Sequence, residues 1–275
     1  MELNNMPQKL ITIDLDGTTL NNQNQVSPKT IQVIKKASAA GHIVSIVTGR
    51  PYRISENIYD QLQLKTPMVN FNGALTHIPH QHWAGEYKRT INKAIVFDMM
   101  ANRKKLQLEM IAAEGKHTYL ADHLPPSSLD FFPTTLNQNQ HLSRNSLKRN
   151  PTSMILFVAP HQEQVVRNIV MHNYGAQVDI GVWGGPNSVL EVVSKGIQKA
   201  KAVAYIAHQY HIDRQNIIAF GDEHNDAEML DYVGRGVAMQ NATPIIKGIA
   251  NDVTEFDNDH DGLARYLENY LYLAN

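Results

Sequence analysis

Short solid apolar blocks alternate with helical stripes along this chain. Lys9 to Leu15 (KLITIDL) is an apolar run that ends in a carboxylate and then Gly17, which predicts a buried strand followed by a turn. Ser27 stands where an N-cap belongs, Pro28 suits the first helical position, and Gly41 closes the stretch, so a helix is expected between them. His42 to Val47 (HIVSIV) predicts a second buried strand. Strand, helix and strand in this order form a βαβ unit, which implies a parallel sheet with right-handed crossovers.

The far end repeats the grammar. Gly196 to Tyr210 has helical spacing, Asn216 to Phe220 (NIIAF) predicts a strand, and GDEHND precedes the apolar-periodic Ala227 to Val233. The middle differs. Gly73 to Thr90 predicts hairpin material, and Pro125 to Pro151 is rich in Pro, Asn, Gln and Ser with few apolar runs. The fold class expected is therefore α/β, with residues 1–82 and 188–275 forming a parallel-sheet domain and residues 83–187 an inserted module. No repeat of solenoid period is present.

Composition narrows the function classes. Across 275 residues, 43% are hydrophobic and 19% charged, which suits a globular chain, and no window is apolar for long enough to predict a membrane span. Lys plus Arg number 25 against 26 for Asp plus Glu, so no bulk field draws nucleic acid or an anionic membrane. The opening MELNNMPQKL lacks a basic start followed by an apolar run, so no secretory signal is expected. With zero cysteines, thiol catalysis, thiolate metal sites and disulfides are excluded; a cytoplasmic location is the expectation.

The candidate chemistry sits at strand ends. Asp14 and Asp16 lie two apart at the carboxyl end of the first strand, where an extended chain turns both side chains to one side. Their repulsion calls for a cation or a shared proton, and open α/β sheets hold their ligands beyond this edge. Thr48-Gly49-Arg50 ends the second strand and Gly221-Asp222-Glu223-His224-Asn225-Asp226 follows a third. Together these supply carboxylates for a hard divalent ion, a hydroxyl and an amide for phosphate oxygens, and Lys195 of Ser194-Lys195-Gly196 as a possible counter-charge. That set suits phosphoryl transfer.

Asp14-Leu15-Asp16-Gly17-Thr18, Thr48-Gly49-Arg50, Lys195 and Gly221-Asp222 with Asn225-Asp226 resemble, in order, the four motifs of haloacid dehalogenase-like phosphatases. Val193 to Gly196, Ala219 to Asp222, Gly236 to Met239 with Asn241-Ala242, and Asp261-Gly262-Leu263 resemble the Cof-type (type IIB) branch. The resemblance implies a Rossmann-like core with an inserted α+β cap of the C2 type. It also implies an Mg²⁺-dependent phosphatase acting on a small phosphorylated metabolite such as a sugar phosphate, with cap side chains choosing the leaving group. Asp14 would be the nucleophile and form an aspartyl-phosphate. Asp16 would serve as general acid and then base. Mg²⁺ would be held by Asp14, the main-chain carbonyl of Asp16, and Asp222; Thr48, Gly49, Lys195 and Asn225 would bind phosphoryl oxygens. Asp226 would orient Lys195 or metal waters, and Arg50 would face the substrate. A phosphomutase or phosphotransferase would share the same intermediate, and a non-catalytic metabolite-binding homologue would share the fold. Oligomeric state is not encoded in these motifs.

Two other patterns invite metal readings. Asp257 to Gly262, with Glu268 after it, satisfies an EF-hand loop string, yet the preceding NDVTEF reads as strand and turn, and Gly262 to Leu271 already has helical spacing. An Asp-capped helix start is the expectation there. His77, His80 and His82 lie in hairpin or hinge material without a nearby carboxylate, which argues against a transition-metal site.

Overall fold

Four buried residues form β1 (Leu10–Ile13), and its apolar side chains are met on both flanks by parallel neighbours. The computed structural model describes residues 7–125, 131–183 and 188–273. After β1 come α1 (Pro28–Ala39), β2 (Ile43–Ile46), α2 (Glu56–Gln61) and a small sheet of β3 (Met68–Asn70), β4 (Leu75–His77) and β5 (Tyr87–Lys88). The caps of α1 are those its sequence predicts. Ser27 Oγ accepts from Thr30 N–H at 3.0 Å, Pro28 opens the first turn, and Thr30, Val33, Ile34 and Ala37 face inward.

Next along the chain are α3 (Lys93–Ala101), β6 (Leu108–Gly115), β7 (Thr118–Ala121), β8 (Ser153–Val158), α4 (Glu163–Tyr174), β9 (Val178–Val182) and β10 (Val189–Ser194). The chain ends with α5 (Lys199–Gln209), β11 (Ile217–Gly221), α6 (Ala227–Tyr232), β12 (Arg235–Ala238), α7 (Pro244–Ile249), β13 (Asp252–Val253) and α8 (Gly262–Tyr270).

The chain divides into two compact units, one of residues 1–50, 55–87 and 198–275, the other of 51–54 and 88–197. In the first, a parallel sheet runs β13-β12-β11-β1-β2, with Ile13 beside Phe220 on one flank and Ile46 on the other. The carboxyl ends of β1, β2 and β11 therefore share one edge, as a wound α/β sheet requires of a ligand site.

The second unit is built on an antiparallel sheet of order β7-β6-β8-β10-β9. One face, with Ile111, Ala113, Met154, Leu156, Leu190 and Val192, packs under α3 and α4. The other carries Met110, Ala112, Ile155, Phe157 and Val189 beneath Phe132 and Trp183. Two carboxyls lie buried on that second face. Burial pushes Glu114 up to about 7 although Arg53 Nε donates to it at 2.5 Å and opposes the shift. Burial likewise pushes Glu191 to about 7, against the Trp183 indole and with help from the charge of Glu114. The sequence boundary at residue 188 gives β10 to the first domain, whereas its hydrogen-bonded neighbours are β8 and β9 of the second unit.

Candidate active site

The edge of the first unit gathers three carboxylates and one ammonium. Asp14 leaves β1 in extended conformation, tied back by its N–H to the Phe220 carbonyl at 3.1 Å. The chain then makes a wide single turn over Leu15–Thr19, closed by Leu20 N–H on the Leu15 carbonyl at 2.9 Å and by Thr19 Oγ1 on the Asp14 carbonyl at 2.5 Å. Gly17 makes the turn possible. Its φ of +66° is left-handed, and a Cβ there would stand inside the Asp222 carboxylate. Thr18 Oγ1 donates to Asp222 Oδ1 at 3.0 Å, which aims that carboxylate back toward Asp14.

Lys199 is the cation of the cluster. Its side chain is 0% exposed, and Nζ donates at 2.7 Å to Asp14 Oδ1 and at 2.7 Å to Asp226 Oδ1. The other oxygen of Asp226 accepts from Asp222 N–H at 3.1 Å and Glu223 N–H at 3.2 Å, so this buried carboxylate both orients Lys199 and closes the loop after β11. Burial by itself lowers an ammonium's pKa, but Asp14 and Asp226 outweigh it and Lys199 is pushed up and stays charged. Asp14 is raised well above the carboxylate range by burial, pulled back by Lys199, and raised again by Asp226 and Asp222. Burial and the charge of Asp226 push Asp222 up to about 7, against the Thr18 bond and Lys199.

Three acidic side chains against one ammonium leave negative charge in excess. Among the described residues, Asp14, Asp222 and Asp226 form the group able to hold a metal ion, offering ligand oxygens within 4.8 Å of one another. Oxygen-only donors of this charge fit a hard divalent cation. Asp226 is committed to Lys199 and two backbone amides, which leaves Asp14 and Asp222 as the better-placed ligands.

The remaining predicted residues fall in two places. Thr48, buried at the end of β2, accepts the Arg50 N–H on Oγ1 at 3.1 Å, and Gly49 follows it. Asn225 belongs to the same edge through Asn72, whose Oδ1 accepts its Nδ2 at 3.0 Å. The Asp16 side chain, expected to serve as general acid and base, accepts from Arg50, which donates from Nε at 2.8 Å and also from Nη2.

Lys195, expected to bind phosphoryl oxygens, is not in the cluster. It ends β10 in the second unit, is half exposed, and its ammonium donates to Asp179 Oδ1 at 2.5 Å. Lys199 is the lysine bonded to Asp14 and Asp226, and the sequence held a signal for it. The buried positions of α5 are 199, 202, 203, 206 and 207, a helical stripe on which Lys199 is the one charged member. A lysine on an apolar stripe at a helix start needs buried carboxylates, and Asp14 and Asp226 supply them.

The metal decoys resolve as ordinary structure. Asp257 Oδ1 accepts from Asp259 N–H and His260 N–H, while Glu268 lies within α8 and pairs with Lys29 at 3.0 Å. His77 is buried against Asn70, whereas His80, expected to lack a nearby carboxylate, meets Asp60 at 2.7 Å and Glu56 at 3.7 Å.

A sequence profile of the haloacid dehalogenase-like hydrolases matches residues 11–267. This chain belongs to that family. The hydrolase is similar to 5-amino-6-(5-phospho-D-ribitylamino)uracil phosphatase YitU of Bacillus subtilis, 34% identical over 96% of this chain and 98% of YitU. It is also similar to pyridoxal phosphate phosphatase YbhA of Escherichia coli, 27% identical over 97% of this chain and 100% of YbhA. In fold it is similar to a haloacid dehalogenase-like hydrolase from Bacteroides thetaiotaomicron, with a TM-score of 0.84 at 20% identity, covering 96% of this chain and 100% of that one. Among the described residues of the hydrolase, no helix is long and apolar enough to cross a membrane.

Proposed function

We propose that the chain is an Mg²⁺-dependent phosphatase of small phosphorylated metabolites, with Asp14 as nucleophile. The observation that carries this reading is the buried Lys199 ammonium held at 2.7 Å from both Asp14 and Asp226 beside Asp222. Lys199 donates to Oδ1 of Asp14 and opposes the upward shift that burial imposes on this carboxyl, which leaves Oδ2 to attack. Bound at Asp14 and Asp222, Mg²⁺ would neutralise charge on the transferring phosphoryl group.

In the first step Asp14 Oδ2 forms a bond to phosphorus in line with the leaving oxygen, whose bond breaks as Asp16 delivers a proton to it. In the second, water attacks the phosphorus of the aspartyl-phosphate, Asp16 takes the water's proton, and inorganic phosphate leaves with Asp14 restored. Arg50 holds Asp16 at the rim of the site in this structure, so the carboxyl must rotate from the guanidinium to reach the leaving oxygen. Thr48 and Asn225 supply a hydroxyl and an amide for phosphoryl oxygens, and Lys199 supplies fixed positive charge.

The relatives suggest where to begin with substrates. YitU, at 34% identity over nearly the whole chain, makes 5-amino-6-(5-phospho-D-ribitylamino)uracil the first compound to try, and YbhA makes pyridoxal phosphate the second. A phosphate-release assay of the purified protein with Mg²⁺ over a panel of phosphomonoesters tests the proposal. Magnesium-dependent release from at least one member is expected; none from any, p-nitrophenyl phosphate included, would refute it.

A further inference from the structure

The turn after β3 touches three of the loops that build the phosphoryl site, although none of its residues is assigned a part in it. Asn72 stands at φ 55°, ψ 23°, a left-handed conformation that asparagine tolerates better than other side chains. Its N–H donates to the Thr48 carbonyl at 3.1 Å, and the Phe71 N–H donates to the Arg50 carbonyl at 3.3 Å. Asn70 Nδ2 reaches the same Arg50 carbonyl at 2.9 Å. Gly49 lies so close that a methyl group on it would stand 3.1 Å from Asn72 Oδ1 and 3.2 Å from Nδ2. On the other side, Asn72 Oδ1 accepts Asn225 Nδ2 at 3.0 Å. Gly73, at φ +112°, lies against the Gln198 carbonyl, 2.7 Å from where its Cβ would be, immediately before Lys199. One turn therefore ties together the loop after β2, the loop after β11 and the start of α5.

We propose that Asn72 is a positioning residue of the phosphoryl site, holding the Asn225 carboxamide in one orientation against the Thr48–Gly49 loop. The inference rests on the phosphatase reading of the same site. An asparagine side chain has a broad, roughly two-fold terminal torsion, so without a partner its amide samples several directions. Fixed by Asn72 Oδ1, the Asn225 amide is set before a phosphoryl group arrives, and no reorganisation is needed during transfer. The Asn72 backbone bond to the Thr48 carbonyl places the second loop in the same frame. Asn72 acts through its neighbours, so its effect should vanish when Asn225 is gone.

A double-mutant cycle tests this with Asn72→Gly, Asn225→Ala and the double variant. Glycine tolerates the left-handed backbone and removes the side chain with its carboxamide. Two readouts are taken in Mg²⁺: kcat/KM for p-nitrophenyl phosphate, and the Kd of inorganic orthophosphate by calorimetry. Asn72→Gly is expected to lower kcat/KM and weaken orthophosphate by about 10-fold each in the Asn225 background, but by less than about 2-fold in the Asn225→Ala background. Equal losses in both backgrounds, or no loss in the first, would overturn the inference. Should Asn72→Gly not fold, Gly49→Ala crowds the Asn72 carboxamide while leaving its backbone intact, and the same pattern is expected of it. A wild-type protein that binds orthophosphate but releases none from any ester would defeat the phosphatase reading alone, because the binding cycle still measures the coupling. Failure of the wild type to bind orthophosphate at all would defeat both.

Discussion

Replacing Lys199 with methionine separates the two lysines that could serve this site. Methionine roughly matches the length of the aliphatic stem but removes the ammonium that bonds Asp14 and Asp226 at 2.7 Å each. Side-chain exposure is 0% for Lys199 and Asp226 and 7% for Asp14, so water cannot replace the lost partner. Breaking one member of a buried charge cluster of this kind costs about 3–5 kcal/mol, since the abandoned charges stay desolvated. For a chain of this size that corresponds to a fall in Tm on the order of 10 °C. Activity should fall by about 100-fold or more, as when a preorganised charge is taken from a transfer site. Lys195→Met provides the control. Its pair with Asp179 is 49% and 39% exposed, which limits its worth to about 1 kcal/mol or less, and kcat/KM should stay within about 3-fold of wild type. Scanning calorimetry and p-nitrophenyl phosphate kinetics on both variants decide the matter. A Lys195→Met protein as impaired as Lys199→Met, or a Lys199→Met protein near wild type in either measure, would refute the assignment.

Two further perturbations follow from the same geometry. Asp222→Asn keeps the acceptor for Thr18 Oγ1 but removes an anionic ligand, so Mg²⁺ affinity measured by titration calorimetry should fall by about 10-fold or more, and the Tm gain on adding Mg²⁺ should shrink with it; unchanged affinity would place the metal elsewhere. Glu191, raised from 4.5 to about 7, binds its proton more tightly folded than unfolded, so folding stability falls as pH rises from about 4.5 through 7. Glu191→Gln should remove this loss, gaining up to about 3 kcal/mol over wild type at pH 8 and little at pH 5 in denaturant melts; a difference independent of pH would contradict the burial account.

The parts of the fold written in local pattern were legible from the chain alone. The runs ending at Asp14, Val47 and Phe220 are solid apolar blocks between helical stripes, which is how parallel strands buried on both faces read. Because βα units place strand ends on one edge, the motifs at those ends came together as the grammar required. The second unit was less visible. β6 and β8 carry buried residues on both faces, but the intervening Pro125 to Pro151 stretch diluted that signal, and nothing in VLEVVS says which sheet β10 will join. Lys195 stands in Val193-Ser194-Lys195-Gly196, the string that resembles the family's lysine motif, whereas burial on the α5 stripe selects Lys199. Asn72 looked like any turn residue, since an Asn-Gly dipeptide is common turn chemistry and its partner Asn225 is far along the chain. Nor could sequence show Asp16 bound to Arg50, which depends on where two loops converge.

A phosphoryl group carried by Asp14 can be trapped there and seen. Acid-quenching the Mg²⁺-loaded protein during turnover of p-nitrophenyl phosphate, followed by peptide mass spectrometry, should show one hydroxylamine-labile phosphoryl group on the peptide containing Asp14. The label should be absent from Asp14→Asn, whose turnover should fall below about 1% of wild type. Phosphorylation of another residue, or sustained turnover by Asp14→Asn, would rule out Asp14 as the nucleophile.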